Sequence, residues 1–501
     1  MIIDIHAHPW PRDPGDKVPE LARQCGMNGV SLVLTSMGTP LPAYPNTDEV
    51  RKTNDVARDF ARGSAGLCRW LAYLNPQNAD WHEELERCIA EGAVGVKLLT
   101  SLKDSEDRMD KSAEVIHGVA AKGLATLIHT WQKTSGSGPG EITLIEFAWL
   151  AEQCPEARIV GAHSGGNWRH SIGVLRDGMP NAHVDVSGYY PERGLVEALV
   201  RDIGAERILF GSDVLGRTQA SQLAKVVFAD IPDKEKDLIF GTNAARVFNL
   251  HDIPPARSAP LRPVEQMPDL KTEHFCFCGR WPIFEGRWVT PAELDEVLTG
   301  AGIKKAYTGD LDSLYRQDLE PANNRFLGAA RAARCVAPLA TMNPLTHNWR
   351  SVLRYLRDGF AGVILHPYLH NWRLDDAAHA PFFRALSDAK LPVWVNCALG
   401  DDRTRHSGLA CRPVAAQEAV AFCEAAPKND YVFQGLSGDV AGKVLERFKG
   451  DERFRFDISK LTDYGYGWDR FVGKYGTAHL VAGSEFPLRH IEEVRWTARR
   501  I

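Results

Sequence analysis

His6, His8, Lys97, His129, His163 and Asp213 each stand at or near the end of an apolar run. These are side chains that bind metals and move protons. The tightest spacing is in IIDIHAHP, where Ile2, Ile3 and Ile5 predict a short strand that Pro9 and Pro11 end. A strand sends residues i and i+2 to the same face, so His6 and His8 point the same way at its C-terminal end. Two such imidazoles can both reach one ion, since a histidine nitrogen sits roughly 2.0–2.1 Å from zinc. Each residue alone has an ordinary explanation: His129 as a core histidine, His163 as a loop residue, Asp213 as a helix N-cap. The set in this order is much harder to obtain by chance.

The elements that must position them form a regular alternation. After the first strand, further strands are predicted at 29–36, 67–75, 93–100, 124–130, 158–163, 182–187 and 207–212. Between them lie helices at 18–28, up to Arg62, 80–91, 112–122, 141–153 and 192–203, with a last one at 233–249. Eight strands alternating with helices over about 250 residues predict an α/β (β/α)8 barrel, whose catalytic groups come from the C-terminal ends of several strands. A doubly wound open sheet is the alternative, but no glycine-rich phosphate loop follows the first strand.

The order HxH, Lys, His, His, Asp, with AHSGG at 162–166 and FGSD ending at Asp213, resembles the amidohydrolase superfamily. Within it, the amidohydrolase-related branch, similar to aminocarboxymuconate-semialdehyde decarboxylase, is the nearest in pattern. The resemblance covers residues 1–250. It implies a divalent metal, usually zinc, on His6, His8, His129 and Asp213, with His163 as an acid/base group and Asp213 a second candidate for the base. It leaves the number of metals open: Lys97 is either a bridge to a second ion or, with one metal, a cation for a substrate carboxylate or for the structure. The chemistry needs such residues independently, because neutral imidazoles and a carboxylate hold zinc with a position open for an activated water. The expected function is metal-dependent hydrolysis of an amide or lactone in a small acidic molecule. The alternative is a non-oxidative decarboxylase or hydratase, and a further one is a non-catalytic binding protein.

Trp10, Trp131, Arg169, Tyr189 and Arg217 follow strand ends and are candidates for the mouth. Either arginine could hold a carboxylate by two hydrogen bonds. The loops 9–16 and 37–48 are candidate lids. A net charge of −5 offers no basic face for nucleic acid or membrane, and no apolar run reaches membrane-spanning length. The first strand begins at once, with no signal peptide, and ten cysteines without CxxC spacing suit a reducing compartment. A cytoplasmic enzyme with a small-molecule substrate is expected.

Five prolines mark 251–271 as a linker. Residues 272–501 then repeat the first half: LNPQNADW returns as MNPLTHNW, GAVGVKLL as GFAGVILH, and ILFGSDVLGR as LVAGSEFPLR. This predicts a second barrel that has lost its ligands. Lys97 aligns with Ile364, His129 with Asn396, His163 with Leu436 and Asp213 with Glu485, while HxH falls on Cys276/Cys278 or on Phe277/Gly279. A thiolate site using Cys276 and Cys278 with His274, His366 or His370 is the competing reading of this half. Two barrels paired as an internal pseudo-dimer, or a homo-oligomer, are the expected assembly.

Overall fold

The computed structural model describes residues 1–9, 17–100, 107–176, 179–188, 190–281, 288–346, 352–406, 408–409, 411–464 and 467–501. It contains two compact units, Met1–Leu261 with Arg500–Ile501, and Arg262–Arg499.

The first unit is built on β1 (Ile2–Ala7), β2 (Val30–Thr35), β3 (Cys68–Trp70), β4 (Ala72–Leu74), β5 (Val96–Leu98), β6 (Ala125–Ile128), β7 (Arg158–Gly161), β8 (Ala182–Asp185) and β9 (Ile208–Leu209). Every neighbouring pair is parallel. β3 and β4 form one run that changes partner at Leu71: Leu71 N donates to Thr35 O, and Ala72 N donates to Gly95 O. The predicted third strand is therefore one chain segment that joins two sheets. β1 in turn bonds to the segment after β9, through Ile5 N to Phe210 O at 3.1 Å and Asp213 N to His6 O at 2.7 Å. All six residues of β2 are buried, as expected of a strand covered on both faces. A core of Ile3, Ile5, Leu32, Leu34, Leu127 and Leu209 packs against Val247 and Phe248.

Helix ends follow local chemistry. Asn46 with Glu49, and Thr143 with Glu146, make capping boxes that start helices at Thr47 and Leu144, the latter three residues after the predicted start. Helix Gln219–Val227 is not foreseen by periodicity. Polar and apolar residues from Gln219 to Val226 are buried alike, so no amphipathic stripe marks it. The predicted helix 233–249 runs from Asp233 to Val247, with Leu238–Thr242 widened to a π-turn. The proline-rich stretch is tied down rather than free: Arg257 donates to Ala65 O, Ala259 N to Gly26 O, and Arg69 to Asp252 O.

The second unit carries β10 (Thr272–Cys278), β11 (Lys305–Asp310), β12 (Val336–Met342), β13 (Gly362–Leu365), β14 (Val393–Asn396), β15 (Tyr431–Gln434), β16 (Phe454–Asp457) and β17 (Leu480–Val481). These eight parallel strands lie in chain order. Glu485 N to Phe275 O at 2.6 Å and Phe277 N to Phe486 O at 2.8 Å bring the end back to β10, so the sheet nearly closes. Among the described residues, no helix is long and apolar enough to cross a membrane.

His274 on β10 is buried beside Tyr307 and Trp394, and its Nδ1 has no hydrogen-bond partner. Burial, with Arg455 adding repulsion, lowers its pKa to about 3. An unfolded chain takes up this proton near pH 6.5 and the folded chain does not. Stability therefore falls as pH drops from about 6.5 towards 3, by up to about 1.4 kcal/mol per pH unit for one such histidine. His274→Phe removes close to one proton from that slope between pH 6 and pH 4, measured by denaturant unfolding at a series of pH values. An unchanged slope would contradict the assignment.

Candidate metal centre

β1 delivers His6 and His8 to the same point, as alternation requires. Their Nε2 atoms are 3.2 Å apart. Nitrogens at that separation, each roughly 2.0–2.1 Å from zinc, subtend about 100° at the ion, a near-tetrahedral angle. Asp213 Oδ1 lies 3.6 Å from His8 Nε2.

The other ring nitrogens show why the Nε2 lone pairs face inward. His6 Nδ1 is 2.9 Å from Asp185 Oδ2, and His8 Nδ1 is 3.0 Å from Ser36 O. A carboxylate and a carbonyl only accept, so each Nδ1 carries the proton and each Nε2 keeps its lone pair. His163 follows the same rule, with Nδ1 3.1 Å from Ser187 O. Burial is the largest cause lowering the pKa of His6, His8, His129 and His163, and Lys97 adds repulsion to each. All four imidazoles are held neutral, the form that ligates.

Among the described residues, two groups of ligand atoms lie within 4.8 Å of one another: His6, His8 and Asp213, and His6, His163 and Asp185. His129 stands outside both, its ring 5.1 Å from that of His163. The buried Lys97 puts Nζ 3.0 Å from His6 Nε2, and burial lowers its pKa to about 8. Asp213 is raised to about 6 by burial, against the pull of Lys97 and Arg217. Neutral imidazoles with converging lone pairs beside a carboxylate fit a divalent cation once Lys97, which donates to His6 Nε2 here, yields that lone pair.

The backbone is bent to achieve this. His163, Ser164 and Asp213 have φ of 60°, 47° and 63°. Such left-handed conformations cost about 1–3 kcal/mol each and persist where surrounding structure holds them. A Cβ on Gly188 would come within 2.7 Å of both Asp213 Oδ2 and His163 Nδ1, so only glycine fits between them.

Sequence reasoning did not assign Asp185 to the site. It accepts from His163 N, Ser187 N and Ser187 Oγ as well as facing His6. Its signal was its place near the end of the strand predicted at 182–187. Asp4 was also missed: fully buried, it accepts from Ser212 N and Oγ and from Gln219, bracing the loop that carries Asp213. Replacing Asp185 with Asn frees the His6 tautomer, and metal affinity should fall about 10–100-fold, the usual cost of losing such a partner. Competition with a chromophoric chelator measures this, and unaltered affinity would count against the role.

Of the predicted mouth residues, Trp131 is buried with its ring 5.1 Å from His163. Arg217 acts on the charge of Asp213. Arg169 is ion-paired with Glu192, which also accepts from Trp168 Nε1, so its charge is already matched. Trp10 and Tyr189, with most of the 9–16 loop, lie outside the described residues.

The hydrogen bonds of β10 correct the sequence alignment of the second unit. Glu273 Oε1 accepts from Phe275 N and Ser484 N, as Asp4 Oδ1 accepts from His6 N and Ser212 N. His6 and His8 therefore correspond to Phe275 and Phe277, not to Cys276/Cys278 or Phe277/Gly279. Likewise Gly435 N donates to Asp457 as His163 N donates to Asp185, so His163 corresponds to Gly435 rather than Leu436. No ligand group occurs among the described residues of this unit, and burial raises the thiols of Cys276 and Cys278 well above their ordinary value.

Residues 3–250 match the family model described as amidohydrolase. No curated protein matches the chain. Among solved structures, the chain is similar to a 2,6-dihydroxybenzoate decarboxylase from Rhizobium, at 19% identity over 50% of this chain and 98% of that one, TM-score 0.38. A 5-carboxyvanillate decarboxylase from Sphingomonas paucimobilis gives 17%, 50%, 99% and 0.38 for the same measures. A probable 2-pyrone-4,6-dicarboxylic acid hydrolase from Acinetobacter baumannii gives 15%, 50%, 99% and 0.38.

Proposed function

We propose that the first unit, an amidohydrolase-family domain over residues 3–250, is a metal-dependent hydrolase of an amide or lactone bond in a small acidic molecule. The observation that carries this is the pair of His6 and His8 lone pairs 3.2 Å apart, each fixed by a proton on the opposite nitrogen. His6, His8 and Asp213 would hold one divalent cation, with His129 standing outside this group. Bound there, the cation supplies Lewis-acid polarisation of a carbonyl and acidifies water.

The chain's own groups do the rest. His163, neutral and donating from Nδ1 to Ser187 O, offers Nε2 to accept a proton from the attacking water and return it to the leaving group. Asp213, raised to about 6, is a second acceptor of suitable basicity. Lys97 and Arg217 place two cations about Asp213, which suits a substrate carboxylate. Trp131, itself buried, packs its ring against His163 at 5.1 Å.

Those cations also favour a second reading, in which a substrate carboxylate leaves as carbon dioxide. Incubating the metal-loaded protein with lactones, amides and aromatic acids, and measuring carbon dioxide against ring-opened or deacylated product, separates the two. Hydrolytic product without carbon dioxide is expected. Carbon dioxide release from the acids alone overturns the hydrolase reading.

The second unit is read as a degenerate copy of the first. Support comes from paired details beyond the strand order. Asn54 bonds both the N and the O of Tyr73, and Asn323 bonds both the N and the O of Thr341.

A further inference from the structure

The second unit has a cleft of about 480 Å³ that the chemistry of the first does not use. It lies at the C-terminal ends of β10 and β11, the end of a parallel α/β sheet at which ligands bind. One wall is the pair Gly279 and Val289, joined by two backbone hydrogen bonds. The other is the helix Leu319–Ala330, which contributes Arg325 and Phe326. Asp310 lies between them with only 7% of its surface exposed, and Gly279 passes so close that a Cβ there would meet Asp310 Oδ1 at 2.9 Å.

Its lining is selective. Arg280, Arg316 and Arg325 all line the cleft. Arg316 Nε donates to Asp312 O, and the charges of Arg325 and Arg316 both act on the Asp310 carboxyl. Trp288, 59% exposed, offers a large apolar face on the rim, and Phe326 a buried one. Guanidinium groups favour planar carboxylates, and aromatic faces favour a flat apolar body. The volume is that of a small-molecule site.

We infer that this cleft binds a small planar carboxylate, its anionic end on Arg316 and Arg325 and its body against Trp288 and Phe326. Burial, reinforced by Asp312, raises the Asp310 carboxyl to about 7 against the pull of Arg325 and Arg316, which lessens its repulsion of a carboxylate ligand. The second unit is thus a binding module in its own right.

Hydrogen–deuterium exchange on the full-length, metal-loaded protein with and without benzoate tests this within the second unit, whatever the first unit catalyses. Slower exchange is expected in peptides covering 288–294 and 308–330, with saturable dependence on benzoate. Arg316→Gln with Arg325→Gln, two exposed positions, should raise the half-saturating concentration at least tenfold while the melting midpoint stays unchanged. Benzamide and inorganic phosphate should protect these peptides at least tenfold more weakly than benzoate. Absence of protection, indifference to the arginine changes, or equal protection by either control probe overturns the proposal.

Discussion

His6→Asn leaves the protein folded, unable to retain its cation and without measurable turnover. His6 is the shared member of both ligand groups, and its Nε2 faces that of His8 at 3.2 Å. Loss of an outer partner costs about 10–100-fold in metal affinity, so loss of the ligand itself should exceed about 100-fold. Asparagine keeps a polar group near Asp185 and Ser187 and avoids leaving either buried acceptor bare. Elemental analysis after gel filtration, with circular dichroism as the control for folding, reads this out. A variant that keeps its metal in full would remove His6 from the centre.

Asp213→Asn should depress turnover about 10²–10⁴-fold, the range for losing a positioned acid or base, even when the metal is supplied in excess. The substitution preserves shape in a left-handed backbone conformation that already tolerates a side chain at φ 63°. It removes the charge opposite Lys97 and Arg217, and the group whose affinity for a proton burial has raised to about 6. Steady-state rates across a metal titration check it. If added metal restores the rate, Asp213 is a ligand only and His163 carries the proton alone.

Much of this centre was legible because strand alternation and strand-end position are written in the sequence. His6 and His8 needed only the i, i+2 rule, and Asp213 only its place after the last strand of the unit. Asp185 was not legible, because nothing in HVDVSG tells a carboxylate that orients a histidine from one that caps a turn; the distance to His6 Nδ1 does. Arg169 looked like a free cation until Glu192, on a later loop, met it. The helix Gln219–Val227 escaped because burial on all sides erases periodicity. In the second half, TEHFCFC offers cysteines at the same spacing as HxH, and only the bonds of Glu273 show that Phe275 and Phe277 occupy those places. Phe275 and Phe277 are both buried at those positions, where His6 and His8 stand in the first unit.

The central claim is that His6, His8 and Asp213 converge on one divalent cation. Anomalous diffraction from crystals of the full chain grown with zinc tests it most directly. The account predicts a peak roughly 2.0–2.2 Å from His6 Nε2, His8 Nε2 and an Asp213 oxygen. A fully formed pocket with no peak there, or zinc bound only elsewhere, would contradict it.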